Sequence, residues 1–265
     1  MSKVDILAEI IANKHREVAA AEAKLSLATV KELAQQARPA ISFLDAISSK
    51  TKPRIIAECK RQSPSRGIMR ADYDPVALAK QYVGGGAAAI SVLTDEKYFG
   101  GTLDHLDAVR VAVTSLPLLR KDFIVSEYQI YEARAHGADT FLLLSGPLSA
   151  SQLTHFITVG RSLGMEPLIE SHTAAELRAA LSTNGKIFGI NNRDLKTFST
   201  DLKGGAELLA EAQAKRPEAT FVCESGIKTR ADIERMQTLG YNVFLIGEAL
   251  VTHADPRTAL ANLIA

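Results

Sequence analysis

Eight short apolar segments that alternate with helical patterns restrict the fold of this chain more than any other feature. Successive segments begin roughly 20 to 35 residues apart, which is typical of parallel βαβ units. The predicted strands cover residues 54–59, 88–93, 117–120, 139–144, 165–169, 187–190, 219–223 and 242–246. Eight such units within 265 residues predict an α/β fold, a closed (β/α)8 TIM barrel. Polar residues at the ends of many strands favour the barrel over an open doubly wound sheet.

Several predicted helices begin with a recognisable capping signal. In a capping box, a hydroxyl group caps the first turn and the residue three positions later bonds back to the chain. The sequence predicts such pairs at Ser126 with Gln129, Ser149 with Gln152, and Thr173 with Glu176. The last helix is expected to start at Asp255, because the following Pro256 is favoured in a first turn.

A helical extension precedes the first predicted strand. Apolar residues at helical spacing predict helices over residues 3–24, 29–38 and 42–49. No linker rich in proline, glycine or serine divides the chain beyond that point. We therefore expect a single domain over residues 1–265, with the extension at 1–50 and the barrel at 54–265.

Composition and charge exclude several classes of protein. With 46% hydrophobic residues, 23% charged residues and a net charge of +1, the chain gives no reason to expect nucleic acid or an acidic membrane as a partner. Cys59 and Cys223 lie in apolar strands and are predicted to be reduced core residues. Charges such as Asp5 and Glu9 interrupt the N-terminal segment, which argues against a signal peptide, and no apolar run is long enough to span a bilayer. The expected compartment is the cytosol.

Polar side chains stand at the predicted carboxyl ends of the strands, where a barrel of this type assembles its active site. Side chains alternate along a strand, so Glu58 and Lys60 share a face that Cys59 does not. Each of these residues alone is typical of a solvated turn, but charges that converge on a barrel axis must be paired or functional. The converging set is predicted to contain Glu58, Lys60, Lys121, Phe123, Glu170, Asn191 and Arg193.

The last two strands end in small residues that suit a phosphate group. Residues 224–226 and 246–248 follow the seventh and eighth strands, whose loops usually hold phosphate in this fold. The loop at residues 61–74 is long for a βα connection and is predicted to be a lid or binding loop. His172 is expected to be a polar rim residue. No histidine or cysteine pair has zinc-ligand spacing, so no metal is expected.

Five segments closely resemble the signatures of the indole-3-glycerol phosphate synthase family. They are IAECKRQSPSRG at residues 56–67, SVLTDEKYFGG at 91–101, LLRKDFI at 118–124, GINNRDL at 189–195 and ESGI at 224–227. The resemblance runs over residues 40–255 in the expected order, and the helical extension is also similar to that of the family. It implies a carbon–carbon lyase of tryptophan biosynthesis. The implied reaction converts 1-(2-carboxyphenylamino)-1-deoxyribulose 5-phosphate to indole-3-glycerol phosphate, carbon dioxide and water, without a cofactor.

The resemblance also implies a role for each strand-end residue. Lys121 is the implied general acid, Glu170 the base and Glu58 its helper. Lys60 is either the partner of the substrate carboxylate or the acid of the later dehydration, and the sequence leaves this choice open. The implied catalytic set is Lys121, Lys60, Glu170, Glu58 and Asn191. The implied substrate-binding residues are Arg193, Ser63, Pro64, Phe99 and Phe123. The implied phosphate-binding residues are Ser63, Ser225, Gly226, Ile246, Gly247 and Glu248.

Three other functions are compatible with a barrel of this kind. A phosphoribosylanthranilate isomerase would need a cysteine and aspartate pair at the site, whereas Cys59 is predicted to face away from it. A Schiff-base lyase would use Lys60 or Lys121 as a nucleophile. A non-catalytic binder of phosphometabolites would have lost some of the strand-end charges. The sequence does not define the oligomeric state, and a monomer is compatible with it.

Overall fold

Eight parallel strands close a barrel within the part of the chain that the computed structural model describes, residues 6–48, 52–193 and 200–265. Each strand pairs with its neighbours in chain order, and the eighth pairs with the first through Ile56 opposite Leu245. The predicted (β/α)8 barrel is therefore confirmed. The strands are β1 Arg54–Cys59, β2 Ala89–Leu93, β3 Leu118–Lys121, β4 Thr140–Leu144, β5 Leu168–Ser171, β6 Ile187–Asn191, β7 Thr220–Glu224 and β8 Val243–Ile246.

Helices precede the barrel and follow each strand. The extension forms α1 Ile6–Lys24, α2 Leu27–Gln36 and α3 Phe43–Ile47. The helices of the barrel are α4 Pro75–Gly84, α5 Glu96–Phe99, α6 Leu103–Ala112, α7 Glu127–Ala135, α8 Ala150–Ser162, α9 Ala174–Leu181, α10 Leu202–Lys215, α11 Arg230–Thr238, α12 Glu248–Val251 and α13 Pro256–Ile264. None of the helices in the described part of the chain has both the length and the apolar character needed to cross a bilayer.

The fifth strand begins three residues later than the sequence predicted. Met165 still belongs to the turn that ends α8, because its N–H bonds to the carbonyl of Gly160 at 2.9 Å. Pro167 has no N–H to contribute to a strand ladder. Pairing starts only at Leu168, opposite Leu142 on one side and Ile187 on the other. The prediction of a strand over 165–169 was therefore wrong at its amino end.

The helices of the extension also differ in their bounds from the prediction. The second begins at Leu27 rather than at residue 29, because the side chain of Ser26 caps the N–H of Thr29 at 3.2 Å. It also ends two residues before the predicted position. The third begins after the cap residue Ser42. Residues 3–5 and residue 49, which the predicted helices included, lie outside the described residues.

The predicted caps of the barrel helices are present, with one change. Complete capping boxes form at Ser126 and Ser149, and Asp255 caps the last helix with Pro256 in its first turn. Thr173 caps the N–H of Glu176 at 3.2 Å. The carboxylate of Glu176 accepts from the N–H of His172, one residue earlier than a standard box, at 2.7 Å. This contact holds the backbone of His172 against the first turn of α9.

The hydrophobic core has an inner and an outer layer. Inward residues of the strands, among them Ile56, Leu119 and Leu168, fill the barrel. Phe43 and Ile47 of α3 pack against these residues at the amino ends of the strands. The outer layer lies between the strands and the helices and contains both cysteines, which are free and buried. Cys59 therefore faces away from the barrel axis, as strand alternation predicted.

The extension is in contact with both ends of the barrel. Helix α3 closes the amino ends of the strands, α2 packs against α7, and α1 reaches the carboxyl ends. The division of the chain into an extension and a barrel within one domain stays a prediction. In the described residues the extension is nevertheless part of the packing that surrounds the barrel mouth.

Candidate active site

A cavity of about 540 Å³ opens at the carboxyl ends of the strands. Its volume suits a small phosphorylated molecule. Every residue that the sequence singled out for catalysis or binding borders this one cavity: Glu58, Lys60, Ser63, Pro64, Phe99, Lys121, Phe123, Glu170, Asn191, Arg193, Ser225, Gly226, Ile246, Gly247 and Glu248. The predicted convergence of these residues on one mouth is therefore present, while their individual roles stay predictions.

An ion pair between Lys121 and Glu170 lies at the base of the cavity. Lys121 ends β3, and its Nζ donates to Oε2 of Glu170 on β5 at 2.8 Å. The other carboxylate oxygen, Oε1, accepts from Nδ2 of Asn191 on β6 at 2.8 Å. Glu170 is almost completely buried, and 14% of the Lys121 side chain is exposed toward the cavity. Three strands therefore fix one acid–base pair.

Glu224 is a third titratable group at this position, and no role was predicted for it from the sequence. It ends β7 and lies with its Oε2 3.8 Å from Nζ of Lys121. A Cβ atom at Gly189 on the neighbouring strand would lie 2.0 Å from Oε1 of Glu224, so only glycine leaves room for this carboxyl group. Strand alternation could have found Glu224, because it ends its strand on the inward face, as Glu58 and Glu170 do.

The two carboxyl groups beside Lys121 have pKa values shifted in opposite directions. Burial would raise the pKa of Glu170, but the charges of Lys121 and His172 outweigh it and hold that pKa well below its usual range. Burial and the nearby charge of Glu170 raise the pKa of Glu224 well above its usual range. The carboxyl group of Glu170 therefore loses its proton more readily than an ordinary glutamate does, and that of Glu224 loses it less readily. Such divergence in one cavity is typical of acid–base sites.

Lys121 is held in its charged form. Burial alone would lower its pKa, but Glu170, Glu224 and Glu58 together raise it. An ammonium group can donate a hydrogen bond or a proton but cannot act as a nucleophile. This argues against a Schiff-base mechanism at Lys121.

His172 lies deeper than a rim residue. Its side chain is only 11% exposed, its Nε2 lies 3.1 Å from Oε1 of Glu170, and its Nδ1 lies 3.7 Å from Oε2 of Glu176. Burial would lower its pKa, but the two carboxylates raise it to about 10. The prediction of a polar rim residue was incomplete, because the local sequence does not show that Glu176 bends back toward the ring.

Lys60 and Glu58 form a second ion pair on the opposite side of the cavity. Both side chains project from the end of β1 on one face, as the alternation along the strand predicted. A Cβ atom at Gly247, beyond β8, would lie 2.4 Å from Oε1 of Glu58. Glycine at this position therefore makes room for the carboxylate.

The ends of β7 and β8 form the rim where a phosphate was predicted. Ser225 and Gly226 both have a left-handed backbone, with φ of 65° and 87°. This conformation is unusual for serine and is typical of functional sites. Two arginines meet above this rim: Nη2 of Arg66 lies 2.6 Å and Nη2 of Arg193 lies 3.4 Å from the carboxylate of Glu248. Arg66 was not among the site residues predicted from the sequence.

An aromatic and aliphatic wall faces the charged groups. The rings of Phe99 and Phe123 lie with their centroids 5.9 Å apart and are tilted by 39°. Ile6, Leu7 and Ile10 of α1 continue this wall. The contribution of α1 to the cavity was not predicted from the sequence. Helical periodicity shows that a helix has an apolar face, but it does not show what that face contacts.

A buried lysine attaches α1 to the mouth of the barrel. Nζ of Lys14 lies 3.0 Å from Oδ2 of Asp95 and 2.9 Å from Oδ1 of Asp122. Asp95 caps α5, which carries Phe99, and Asp122 lies between Lys121 and Phe123. Burial would raise the pKa of Asp122, but Arg120 and Lys14 lower it to about 2. The ion pairs of Lys14 therefore connect the extension to residues that adjoin the site.

Comparison with protein families matches residues 7–263 to the model of indole-3-glycerol phosphate synthase. The chain belongs to the indole-3-glycerol phosphate synthase family. As a member of this family it is a carbon–carbon lyase of tryptophan biosynthesis that acts on a small phosphorylated substrate. This agrees with the resemblance of the five sequence segments, of which GINNRDL extends at residues 194–195 beyond the described residues.

Bacterial members of the indole-3-glycerol phosphate synthase family are similar to the chain over nearly its whole length. The protein of that name from Laribacter hongkongensis is 46% identical, with 98% of this chain and 99% of the relative covered. The protein of that name from Neisseria meningitidis serogroup B is 44% identical with the same coverage. That of Crocosphaera subtropica is 46% identical over 97% of this chain and 89% of the relative.

Solved structures of other proteins share the fold of this indole-3-glycerol phosphate synthase family member. A 3-hexulose-6-phosphate synthase superposes with a TM-score of 0.64 at 17% identity, over 80% of this chain and all of the other. The tryptophan synthase α subunit of Legionella pneumophila gives 0.59 at 15% identity, over 83% and 95% of the two chains. At this identity the likeness shows the fold alone.

Proposed function

We propose that the cavity converts 1-(2-carboxyphenylamino)-1-deoxyribulose 5-phosphate to indole-3-glycerol phosphate with Lys121 as the general acid of ring closure. The observation that carries this assignment is the position of Lys121, a buried ammonium group between the carboxyl groups of Glu170 and Glu224 at the base of the cavity. Ring closure needs a weakly nucleophilic aromatic carbon to attack a ketone. A donor at the ketone oxygen makes that attack faster, typically by about 10² to 10⁴-fold.

The ion pair between Lys121 and Glu170 supports a division of the chemistry into successive steps. Lys121 donates a proton to the ketone oxygen as the new carbon–carbon bond forms. The loss of positive charge beside Glu170 then raises the pKa of that carboxyl group, since Lys121 is the main charge that lowers it. Glu170 thus becomes a stronger base once Lys121 has acted.

The remaining steps release carbon dioxide and water. The carboxylate on the ring carbon that attacked the ketone leaves as carbon dioxide, and its bonding electrons return to the ring. The new hydroxyl group then leaves with a proton from an acid, while a base takes a proton from the adjacent carbon to complete the indole double bond. Glu170 is the proposed base and Glu58 its helper. Lys60 is paired with Glu58 and close enough to serve either the departing hydroxyl group or the substrate carboxylate.

The two ends of the cavity suit different parts of the substrate. We place the anthranilate ring against Phe99 and Phe123 and the phosphate at the rim formed by Ser225, Gly226 and Gly247, with Ile246, Glu248, Ser63 and Pro64 beside it. The side chain of Glu248 is negative, so its contribution to phosphate binding is its backbone N–H. Asn191 and Arg193 orient the hydroxyl and carboxylate groups between the two ends.

The test is the appearance of indole fluorescence when the purified protein meets the carboxyphenylamino-deoxyribulose phosphate. We expect wild-type turnover and a loss of kcat of at least about 10²-fold in Lys121→Met, with Lys60→Met as the matched lysine replacement. If Lys60 binds the substrate carboxylate, Lys60→Met raises KM more than it lowers kcat. Turnover that survives in Lys121→Met and collapses in Lys60→Met assigns the acid of ring closure to Lys60.

Two controls separate this proposal from its rivals. Borohydride reduction in the presence of substrate should leave both lysines unmodified, and a trapped adduct would establish a Schiff-base lyase instead. Substrate binding without any turnover in the wild type would establish a binder. An isomerase is disfavoured because Cys59 is fully buried in the outer layer of the core.

We further propose that the enzyme works as a monomer in the cytosol, without nucleic acid. The described residues of one chain supply all of the predicted site, so the cavity needs no second copy. Light scattering on the purified protein, with and without substrate, tests the oligomeric state. A dimer whose dissociation abolishes activity would contradict the proposal.

A further inference from the structure

His172 lies in a row of three charged side chains that ends at the proposed base. Glu176 lies on one side of its ring and Glu170 on the other, and all three side chains are mostly buried. We propose that His172 is a positioning residue for the reaction, which, anchored by Glu176, holds Glu170 in place and in its anionic form as the base. The inference rests on the proposed role of Glu170.

The contacts of Glu170 explain why a positioning group is needed. Its Oε2 accepts from Lys121 at 2.8 Å, and its Oε1 accepts from Asn191 at 2.8 Å. Lys121 must turn from Oε2 to the substrate in order to act as an acid. Asn191 and His172 then remain at Oε1, and of these two only His172 carries a charge. His172 therefore keeps a positive charge 3.1 Å from the carboxylate at the stage when Lys121 is engaged with the substrate.

The position of His172 is itself fixed by the start of α9. Its backbone N–H donates to Oε2 of Glu176 at 2.7 Å, and its Nδ1 lies 3.7 Å from the same oxygen. The side chain of Thr173 caps the helix, which holds Glu176 in the first turn. Both ring nitrogens thus face a carboxylate, and two contacts from one helix start restrict the ring.

The charges around the two side chains determine the direction of the pH effect. An imidazolium beside Glu170 lowers the pKa of that carboxyl group, and His172 itself remains charged because its own pKa is raised to about 10. Replacing His172 with a neutral residue therefore raises the pKa of Glu170, and the base becomes protonated at a higher pH. The other titratable groups around this pair are Lys121 on β3, Glu224 on β7, Glu58 on β1, Glu176 on α9, His15 on α1, and Asp201 and Glu207 at the start of α10.

The deciding experiment is the pH profile of kcat/KM for His172→Gln beside the wild type. Glutamine places an amide N–H near the position of Nε2 but carries no charge. We expect the acidic limb to move to higher pH by about one unit or more, because an adjacent opposite charge shifts a carboxyl pKa by about that much. The substrate titrates identically in both measurements, so the difference between the two profiles belongs to the enzyme.

A matched control and a second variant complete the design. His155 forms a comparable pair with Glu127 at 3.2 Å, but its side chain is 57% exposed and lies outside the cavity, so His155→Gln should reproduce the wild-type profile. Glu176→Gln weakens the anchor of His172 without changing a residue of the substrate cavity. This variant should move the acidic limb of the profile to higher pH by a smaller amount than His172→Gln does. It provides the deciding measurement if His172→Gln does not fold.

The outcomes separate this inference from the proposed function. An acidic limb that stays at the wild-type position in His172→Gln, whether or not the rate falls, shows that His172 only packs and overturns the inference. If His172→Gln does not fold, an acidic limb that stays at the wild-type position in Glu176→Gln overturns the inference instead. Glu170→Gln with undiminished turnover removes the proposed base, and the inference fails with it. Loss of turnover in Glu170→Gln together with an unshifted His172→Gln limb leaves the proposed function intact.

Discussion

At the scale of single residues, the site depends on two glutamates that share one lysine but have pKa values shifted in opposite directions. Glu170 receives hydrogen bonds from Lys121 and Asn191, whereas no hydrogen bond reaches Oε1 of Glu224 from the described residues. The difference in partners explains why burial raises the pKa of Glu224 and fails to raise that of Glu170. Among the carboxyl groups around Lys121, Glu170 contributes most to keeping the ammonium group charged.

This difference predicts unequal effects of the same substitution. Glutamine has the shape and neutrality of a protonated glutamate, so Glu224→Gln should lower kcat by less than about tenfold. Glu170→Gln removes a charge and a base and should lower kcat by at least about 10²-fold. Steady-state assays of indole formation compare the two directly. An equal loss in both variants would contradict a protonated Glu224.

The sequence was sufficient to predict which strand-end residues meet, and insufficient to predict their charge states. Alternation along β1 and β3 places Glu58, Lys60, Lys121 and Phe123 on the inward face, and the fold brings such residues to one mouth. The pKa values depend on burial and on neighbours that are far apart in the chain, such as Lys121 and Glu224. The contact between His172 and Glu176 depends on a turn geometry that the capping pattern did not specify.

At the scale of elements, α1 is attached to the barrel mouth by one buried lysine. The exposed fraction of the Lys14 side chain is 4%, and its two carboxylate partners on the barrel, Asp95 and Asp122, are as deeply buried. Removing one member of such a buried group leaves the others uncompensated. Since α1 also supplies Ile6, Leu7 and Ile10 to the cavity wall, its attachment affects both stability and substrate binding.

We expect Lys14→Met to lower the free energy of unfolding by about 3 kcal/mol and to raise KM more than it lowers kcat. Urea denaturation and initial rates measure the two effects. Lys24→Met is the matched control, since Lys24 is exposed at the end of the same helix and should change neither quantity appreciably. An unchanged KM in a destabilised Lys14→Met variant would show that α1 is a stabilising cover only.

The elements themselves were predictable because each signal is local. Capping residues predicted the starts of α7, α8 and α13, and short apolar runs predicted all eight strands. The error at β5 arose because Met165 is apolar enough to extend a strand pattern although it completes the turn after α8. The place of α1 was not predictable, because the barrel partners of Lys14, Asp95 and Asp122, are about eighty residues or more away along the chain.

At the scale of the whole molecule, stability and chemistry are concentrated at opposite ends of the barrel. The carboxyl ends of the strands carry the cavity, whereas the amino ends carry a second buried charge cluster around Asp139, just before β4. One Asp139 oxygen accepts from Arg38 at 2.6 Å and the other from Arg110 at 2.8 Å. The same two oxygens accept from the backbone N–H groups of Ile41 and Leu118, both at 2.9 Å. Asp139 thereby joins the extension to β3 and β4 at the end remote from the substrate.

This separation predicts that Asp139→Asn destabilises the enzyme without changing its chemistry. Loss of the buried charge leaves Arg38 and Arg110 uncompensated, so the free energy of unfolding should fall by about 3 kcal/mol. In conditions where the variant stays folded, kcat and KM should remain within about twofold of the wild type. The amino ends of the strands serve stability in such barrels, whereas the active site lies at the carboxyl ends. Asp107→Asn is the control: Asp107 pairs with His136 at 2.9 Å but is 47% exposed, so its removal should cost less than about 1 kcal/mol. A raised KM in Asp139→Asn would mean that a disturbance at the amino ends of the strands reaches the cavity, and the two ends could no longer be treated as independent.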